Sequence, residues 1–252
     1  MEEEWEAYGA FAETYDLFMD NIPYEEWHVY LRQLLVQNGV TEGIVAELGC
    51  GTGAMTTLLA EDGYDMIGVD LSVEMLEIAR EKCPESVLLL HQDMRELDLF
   101  GSVSAMVCVC DGMNYLLEEQ DLLQTFTGAA QFLEKDGVLI FDMKTAYFYE
   151  EQLGDRTIVD NRDDCTLIWE NEYDPETMRN EYLLTIYQLE QVESDLFSRV
   201  EEYHCQRAYP VATVTEQLEK AGLTLRAVYE AFTEESAKQD SSRVYFVAAK
   251  QS

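Results

Sequence analysis

The sequence predicts an α/β fold: a doubly wound, mostly parallel seven-stranded sheet with an N-terminal helical cap, an antiparallel β insertion and a closing C-terminal antiparallel hairpin. Three observations predict it. From residue 43 to residue 141, short apolar runs alternate with stretches of helical periodicity, the pattern of βαβ units. Those runs lack period-two alternation, as expected of strands covered by helices on both faces. Between Cys165 and Arg207 the pattern changes to long polar–apolar alternation broken by turn residues, which reads as antiparallel ribbon.

Taken in order, residues 5–38 read as two helices broken at Asn21-Ile22-Pro23. In the second, Trp27, Tyr30, Leu31, Leu34 and Leu35 recur at helical spacing, and Asn38-Gly39 ends the pattern. Ile44–Leu48 is the first strand and Ala54–Ala60 the helix after it. Met66–Val69 is the second strand, and Ser72 caps a helix that runs through Lys82. Val87–Leu90 and Val103–Cys110 are strands three and four. A helix over Asp121–Glu134 is closed by Lys135-Asp136-Gly137, and Val138–Phe141 is the fifth strand. In the insertion, turns fall at Tyr173-Asp174-Pro175-Glu176 and near Glu193-Ser194-Asp195. A last helix over Thr213–Lys220 stops at Ala221-Gly222, and Leu223–Phe232 with Arg243–Ala249 forms the closing hairpin. The expected division is a cap (1–40), a core (41–150), an insertion (151–210) and the completion of the core (211–252).

Fifty-one acidic residues against 16 basic ones leave a formal charge of −35 on 252 residues. Such a surface repels phosphate backbones and anionic lipid, so neither nucleic acid nor membrane is expected as a partner. No apolar run approaches the about 20 residues that span a bilayer. The six cysteines (Cys50, Cys83, Cys108, Cys110, Cys165, Cys205) show no zinc or redox spacing, and no metal is expected. The N-terminus has neither a basic nor an apolar segment of a secretory signal, so the cytoplasm is the expected location.

The chemistry concentrates at strand ends. Glu47-Leu48-Gly49-Cys50-Gly51-Thr52-Gly53 leaves a strand, turns on three alternating glycines and enters a helix. Glycines let the chain turn sharply and let a ligand approach the backbone. With Ala54 they also satisfy the dinucleotide fingerprint. Glu47 separates the two readings, because an acid beside the loop suits a ligand bearing ammonium and sulfonium and repels a pyrophosphate. Asp70 ends the second strand, where a carboxylate accepts ribose hydroxyls from either kind of cofactor.

These residues resemble motif I of the class I S-adenosylmethionine-dependent methyltransferases, E/D-x-G-x-G-x-G. The resemblance continues in order along the chain. Leu71 follows the ribose acid. Gln92-Asp93-Met94 resembles the adenine site, with Asp93 accepting from the amino group and Met94 against the ring. Cys110-Asp111-Gly112-Met113-Asn114-Tyr115 resembles motif IV, where cofactor and acceptor meet. Phe132 to Ile140 matches the Leu-x-x-Gly-Gly-x-Leu step, with Asp136 in place of the first glycine. The segment Phe11-Ala12-Glu13-Thr14-Tyr15-Asp16 resembles the Tyr-Asp segment of small-molecule methyltransferases, whose helical cap closes over the cofactor.

The resemblance implies a cofactor site of Tyr15, Glu47, Gly49, Cys50, Gly51, Gly53, Asp70, Leu71, Gln92, Asp93, Met94 and Cys110. It implies an acceptor side of Asn114, Tyr115, His204 and Arg207. Methyl transfer from a sulfonium needs alignment more than a catalytic dyad. If the acceptor must lose a proton, Tyr15, Asp111 and His204 are the candidate bases. The expected function is therefore transfer of a methyl group from S-adenosylmethionine, leaving S-adenosylhomocysteine, to an N, O or C nucleophile of a small molecule. An NAD(P)-dependent oxidoreductase and a non-catalytic S-adenosylmethionine-binding interaction protein stay open as alternatives, as does the choice between monomer and homodimer.

Overall fold

A computed structural model describes residues 12–18, 23–191 and 196–250. The helices are α1 (Ala12–Phe18), α2 (Tyr24–Gln37), α3 (Ala54–Glu61), α4 (Val73–Lys82), α5 (Glu119–Phe132) and α6 (Val211–Lys220). The core strands are β1 (Ile44–Leu48), β2 (Asp65–Asp70), β3 (Leu88–His91), β4 (Val103–Cys108) and β5 (Leu133–Lys144). An insertion supplies β6 (Thr157–Asn161), β7 (Cys165–Asp174), β8 (Arg179–Gln191) and β9 (Leu196–Arg207), and β10 (Leu223–Glu230) and β11 (Arg243–Lys250) close the core.

The main sheet runs β3-β2-β1-β4-β5-β11-β10. Its first five strands are parallel, and β11 and β10 join antiparallel. The chain order reverses between β1 and β4, the switch point at which open α/β sheets bind ligands.

Alternation along the strands explains the two-sided core. Val45, Ala105, Val107, Val138 and Ile140 face one side and meet Trp27, Tyr30, Leu31, Leu34 and Leu35 of α2 and Met55 and Leu59 of α3. Their neighbours Ala46, Met106, Cys108, Leu139 and Phe141 face the other, against Leu122, Phe126 and Ala129 of α5 and Val214 and Leu218 of α6. With both faces buried, no polar alternation is left to read, which is why the strands look uniformly apolar.

The insertion is a separate antiparallel sheet, β6-β7-β8-β9. Cys165, Leu167, Tyr182, Leu184 and Ile186 on it receive Phe18 of α1. The helical cap is thereby wedged between this sheet and the core.

Helix α2 starts at Tyr24 directly after Pro23, as the sequence reading expects; the rest of the expected break, Asn21-Ile22, lies outside the described residues, as do residues 5–11 and the turn at Glu193-Ser194-Asp195. Three expectations are corrected. Helix α5 starts and ends two residues earlier than the periodicity suggested, because Glu118 and Asp121 close a reciprocal cap at its start. Lys135-Asp136-Gly137 is not a helix stop but lies inside β5, where Asp136 takes a left-handed φ of 67° and the pairing with β4 shifts register. Strand β4 stops at Cys108, because Cys110 and Asp111 both take positive φ. Four elements escaped the sequence reading: the short edge strand β6, a π-helical segment over Phe148–Leu153 and single 3-10 turns over Met94–Glu96 and Gly112–Tyr115.

Phe141 stacks on Phe246 at 4.9 Å and meets Phe126 at 5.4 Å, all three fully buried. Replacing Phe141 with Ala is expected to cost about 3–5 kcal/mol of stability in urea denaturation, from lost burial plus the cavity.

Candidate active site

The three loop glycines, Gly49, Gly51 and Gly53, have φ of 71°, 53° and 79°, a region where side-chain-bearing residues are strained. They differ in what surrounds them. A Cβ on Gly53 would lie 2.6 Å from Cys83 Sγ and 3.2 Å from Ala79 Cβ, so this glycine is required for packing α3 against α4. A Cβ on Gly51 would meet nothing within 4 Å, so there the loop faces open space. Met94 lies beside the loop, its Cε 3.6 Å from where a Gly49 Cβ would be.

Two carboxylates flank this loop. Glu47, at the end of β1, is 2% exposed, and one oxygen accepts a hydrogen bond from Thr56 Oγ1. Burial pushes its carboxyl up to about 8; the Thr56 bond works against that and nearby Asp70 adds to it. Asp70, at the end of β2, accepts from the Gly51 N–H at 2.7 Å and the Ser72 N–H at 2.9 Å. Burial raises its carboxyl too, against the pull of those backbone donors. Asp70 therefore shapes the loop through its backbone.

A narrow cleft opens here, lined by Tyr15, Tyr24, Glu47, Gly49, Cys50, Gly51, Thr52, Ala54, Met55, Val109 and Cys110. The Tyr15 and Tyr24 side chains are hydrogen-bonded to each other, and burial first, then Cys110, raises the Tyr24 phenol. Burial also raises the thiols of Cys50 and Cys110 far above neutral pH. A wider groove between Arg95–Leu97 and α5 is shallow and open, and it holds none of the glycine-loop or strand-end residues. Converging buried polar groups, rather than width, mark the first cleft as the site.

On the acceptor side the structure redistributes the expected roles. Asp111 is pinned by Lys144 Nζ and Arg243 Nη2, each at 2.9 Å, and by Gln206 Nε2 at 3.0 Å. Burial alone would raise its carboxyl, but Lys144 and Arg243 outweigh burial and bring it to about 2. A carboxylate so held is a poor base near neutral pH, which removes Asp111 from the candidate bases. Asn114 is fully buried and spends its amide on the Lys144 and Arg207 carbonyls and the Lys144 N–H. It ties β5 to β9 and is closed to a substrate. Arg207 donates to the Leu117 carbonyl at 2.8 Å and lies over the Tyr209 ring, so it braces the turn before α5. On the adenine side, both ends of the Gln92 amide are engaged by the Asp98 backbone, and Asp93 is bound by Arg95 through several N–H groups. Leu71 is exposed at the mouth, its carbonyl within 2.8 Å of His91 Nε2.

His204 and Tyr115 do come together. The hydroxyls of Tyr115 and Tyr182 are 2.6 Å apart, and Tyr115 Oη lies 3.2 Å from His204 Nδ1. The His204 ring stacks on Tyr182, and its Nε2 lies 3.3 Å from Glu202 Oε2. Both Glu202 and His204 are buried. The sequence reading missed Tyr24, Thr52, Thr56, Lys144, Tyr182, Glu202 and Arg243. One signal was available: Glu202, His204 and Gln206 fall at period two, on the same face of one strand.

A doubly wound sheet with a glycine loop between two strand-end carboxylates at its switch point defines a Rossmann-like nucleotide-cofactor domain. Known proteins narrow the class. Residues 45–137 match the family described as Methyltransferase domain. A Bacillus subtilis (strain 168) protein named as a methyltransferase, YqeM, is 32% identical over 246 residues, covering 96% of this chain and 97% of its own. A solved S-adenosylmethionine-dependent methyltransferase from Clostridium acetobutylicum ATCC 824 has a TM-score of 0.84 at 24% identity, covering 98% of this chain and 100% of that one. CalS10, an amino pentose methyltransferase from Micromonospora echinaspora solved with S-adenosylmethionine bound, has a TM-score of 0.74 at 17% identity, covering 96% and 97%. The chain belongs to the methyltransferases, on the class I Rossmann-like fold.

Asp111 also yields a pH test. Its lowered carboxyl contributes stability that is present above the ordinary value of 3.8 and lost as pH falls through about 2. Asp111→Asn is expected to lose about 2 kcal/mol at pH 7, with the gap to wild type closing between pH 4 and 2 in a series of denaturation curves.

Proposed function

We propose that the protein transfers a methyl group from S-adenosylmethionine to an N, O or C nucleophile of a small-molecule acceptor. The observation that carries this is the open Gly51 cradle between Glu47 and Asp70, under Tyr15 and Tyr24. The residues present fit the cofactor: the space a Gly51 side chain would fill is empty, and among the described residues no Lys or Arg lines the cleft. An acid that burial has raised to about 8 gains from a cation, which would favour its charged form, so the pair suits a ligand that brings positive charge.

Glu47 and the loop would hold the amino-acid end and Asp70 the ribose hydroxyls, with Met94 and Leu71 bordering the base. When bound, the cofactor supplies a methyl group on a sulfonium that carries its own leaving group. The chain's part is alignment and exclusion of water, worth effective molarities of roughly 10⁵–10⁸ M in well-oriented systems. Tyr15 and Tyr24 roof the reaction space from the cap. The Cys110-Asp111 turn, held by Lys144 and Arg243, fixes its floor. An acceptor that must lose a proton would pass it to the Tyr115 hydroxyl as that hydroxyl hands its own proton to His204 Nδ1, so the proton would come to rest on the imidazole beside Glu202. A small acceptor is supported by the acidic surface and by the likeness to an amino pentose methyltransferase. The same surface supports a protein that engages neither nucleic acid nor lipid and works in the cytoplasm. Among the described residues no helix is long and apolar enough to cross a membrane.

Isothermal titration with S-adenosylhomocysteine tests the reading: one-to-one binding is expected, and a folded protein that binds NAD instead would overturn it. Asp70→Ala should weaken binding at least about tenfold, since a charged acceptor is lost and the Gly51 N–H is released. Incubation with tritiated S-adenosylmethionine and a panel of small amines and alcohols then searches for the acceptor. With an acceptor in hand, Tyr115→Phe should depress turnover while leaving S-adenosylhomocysteine affinity within about twofold.

A further inference from the structure

Helix α1 is seven residues long, too short to hold its place by its own helical propensity, so its side chains must fix it. Toward the second sheet, Phe18 is buried, Arg162 lies 5.2 Å over its ring, and the Arg162 guanidinium donates to the Leu17 carbonyl. Toward the core, Asp16 makes two contacts. Its Oδ1 accepts from Thr52 Oγ1 at 2.7 Å, and its Oδ2 pairs with Lys82 of α4.

Thr52 stands between Gly51 and Gly53 and carries the one side-chain hydroxyl of the glycine loop. It is 2% exposed, so its hydroxyl needs a partner inside the protein. That partner comes from 36 residues away in the chain. The Lys82 pair is half open to solvent, and such pairs contribute little. The Thr52 contact is part-buried and charge-assisted, and its donor is buried, which makes it the stronger of the two. The loop it tethers is built on three positive-φ glycines, which without a tether have many conformations to choose from.

We propose that Asp16 is a positioning residue for the cofactor site, holding the glycine loop through Thr52 and the cleft-facing Tyr15 as one unit. A bound cofactor then leaves only when the Asp16–Thr52 contact opens and α1 lifts. The residue thus acts on the rate of cofactor release through Thr52 and Tyr15, without touching the ligand. The ligand assay for this proposal rests on the cofactor reading above.

The test uses the full chain and S-adenosylhomocysteine as probe, with dissociation followed by stopped flow and hydrogen exchange measured without ligand. Asp16→Ala and Thr52→Val are expected to speed dissociation by about tenfold or more while association stays within about threefold. Thr52→Ser, which restores the hydroxyl, should return the wild-type rate, and Lys82→Met should change it by less than about threefold. Amides of residues 12–18 should exchange faster in Asp16→Ala. Dissociation at the wild-type rate in either Asp16→Ala or Thr52→Val would overturn the proposal, as would unchanged exchange over 12–18. Should wild-type protein bind no S-adenosylhomocysteine, the cofactor reading falls, and the exchange comparison alone decides whether Asp16 fastens α1 to the loop.

Discussion

The two sheets of this protein meet on one carboxylate. Asp111 follows β4, yet its partners come from β5 (Lys144), β9 (Gln206) and β11 (Arg243), and its own N–H points at Asp142 of β5. Asp142 is itself fully buried and paired with Arg243. Four strands from two sheets are therefore held by a single ionic cluster. The cluster also supports a local expense: Cys110 and Asp111 take φ of 61° and 58° in succession, a conformation that costs roughly 1–2 kcal/mol per residue. Backbone strain of this kind persists where surrounding contacts over-determine it, and it gathers at functional sites. Here it turns the chain sharply off β4, so that Cys110 faces the cleft while Asp111 faces the cations behind it.

The same cluster explains why a charged strand face can be buried. Strand β9 turns Glu202, His204 and Gln206 inward, where an ordinary amphipathic strand would place apolar residues. Gln206 is satisfied by Asp111 and by the Tyr149 hydroxyl, and His204 by its contacts with Tyr115, Tyr182 and Glu202. Local rules of patterning are broken where a site is built, and the compensating partners sit on other elements.

That distribution also decides what could be read from the sequence. The fold was legible because its signals are local: apolar runs, glycine stops, the Ser72 cap and the change of period after Cys165. The glycine loop and the acids beside it were legible as a unit for the same reason, since Glu47, the glycines and Asp70 lie on two adjacent strand–loop units. The contacts of Asp111, Asn114 and Arg207 could not be read because their partners lie dozens of residues away in the chain. Local sequence shows that a residue is polar and near a strand end; it does not show that two cations converge on it. Strand β6 was missed because it is a five-residue edge, mostly exposed, with no buried face to impose a pattern.

The cleft also contains a chemical hazard and its remedy. S-adenosylmethionine, the cofactor of this family, is an alkylating agent, and two cysteines, Cys50 and Cys110, line the space beside the glycine loop. A thiolate there would compete with any acceptor for the methyl group. The nucleophile in cysteine chemistry is the thiolate, and burial in apolar surroundings suppresses it. For both residues burial is the largest influence, and the acids around them reinforce it: Glu47 and Asp70 act on Cys50, Asp111 and Glu47 on Cys110. Burial first and the neighbouring acids second thus hold the sulfur atoms beside the glycine loop as thiols, which are poor nucleophiles toward an alkylating cofactor.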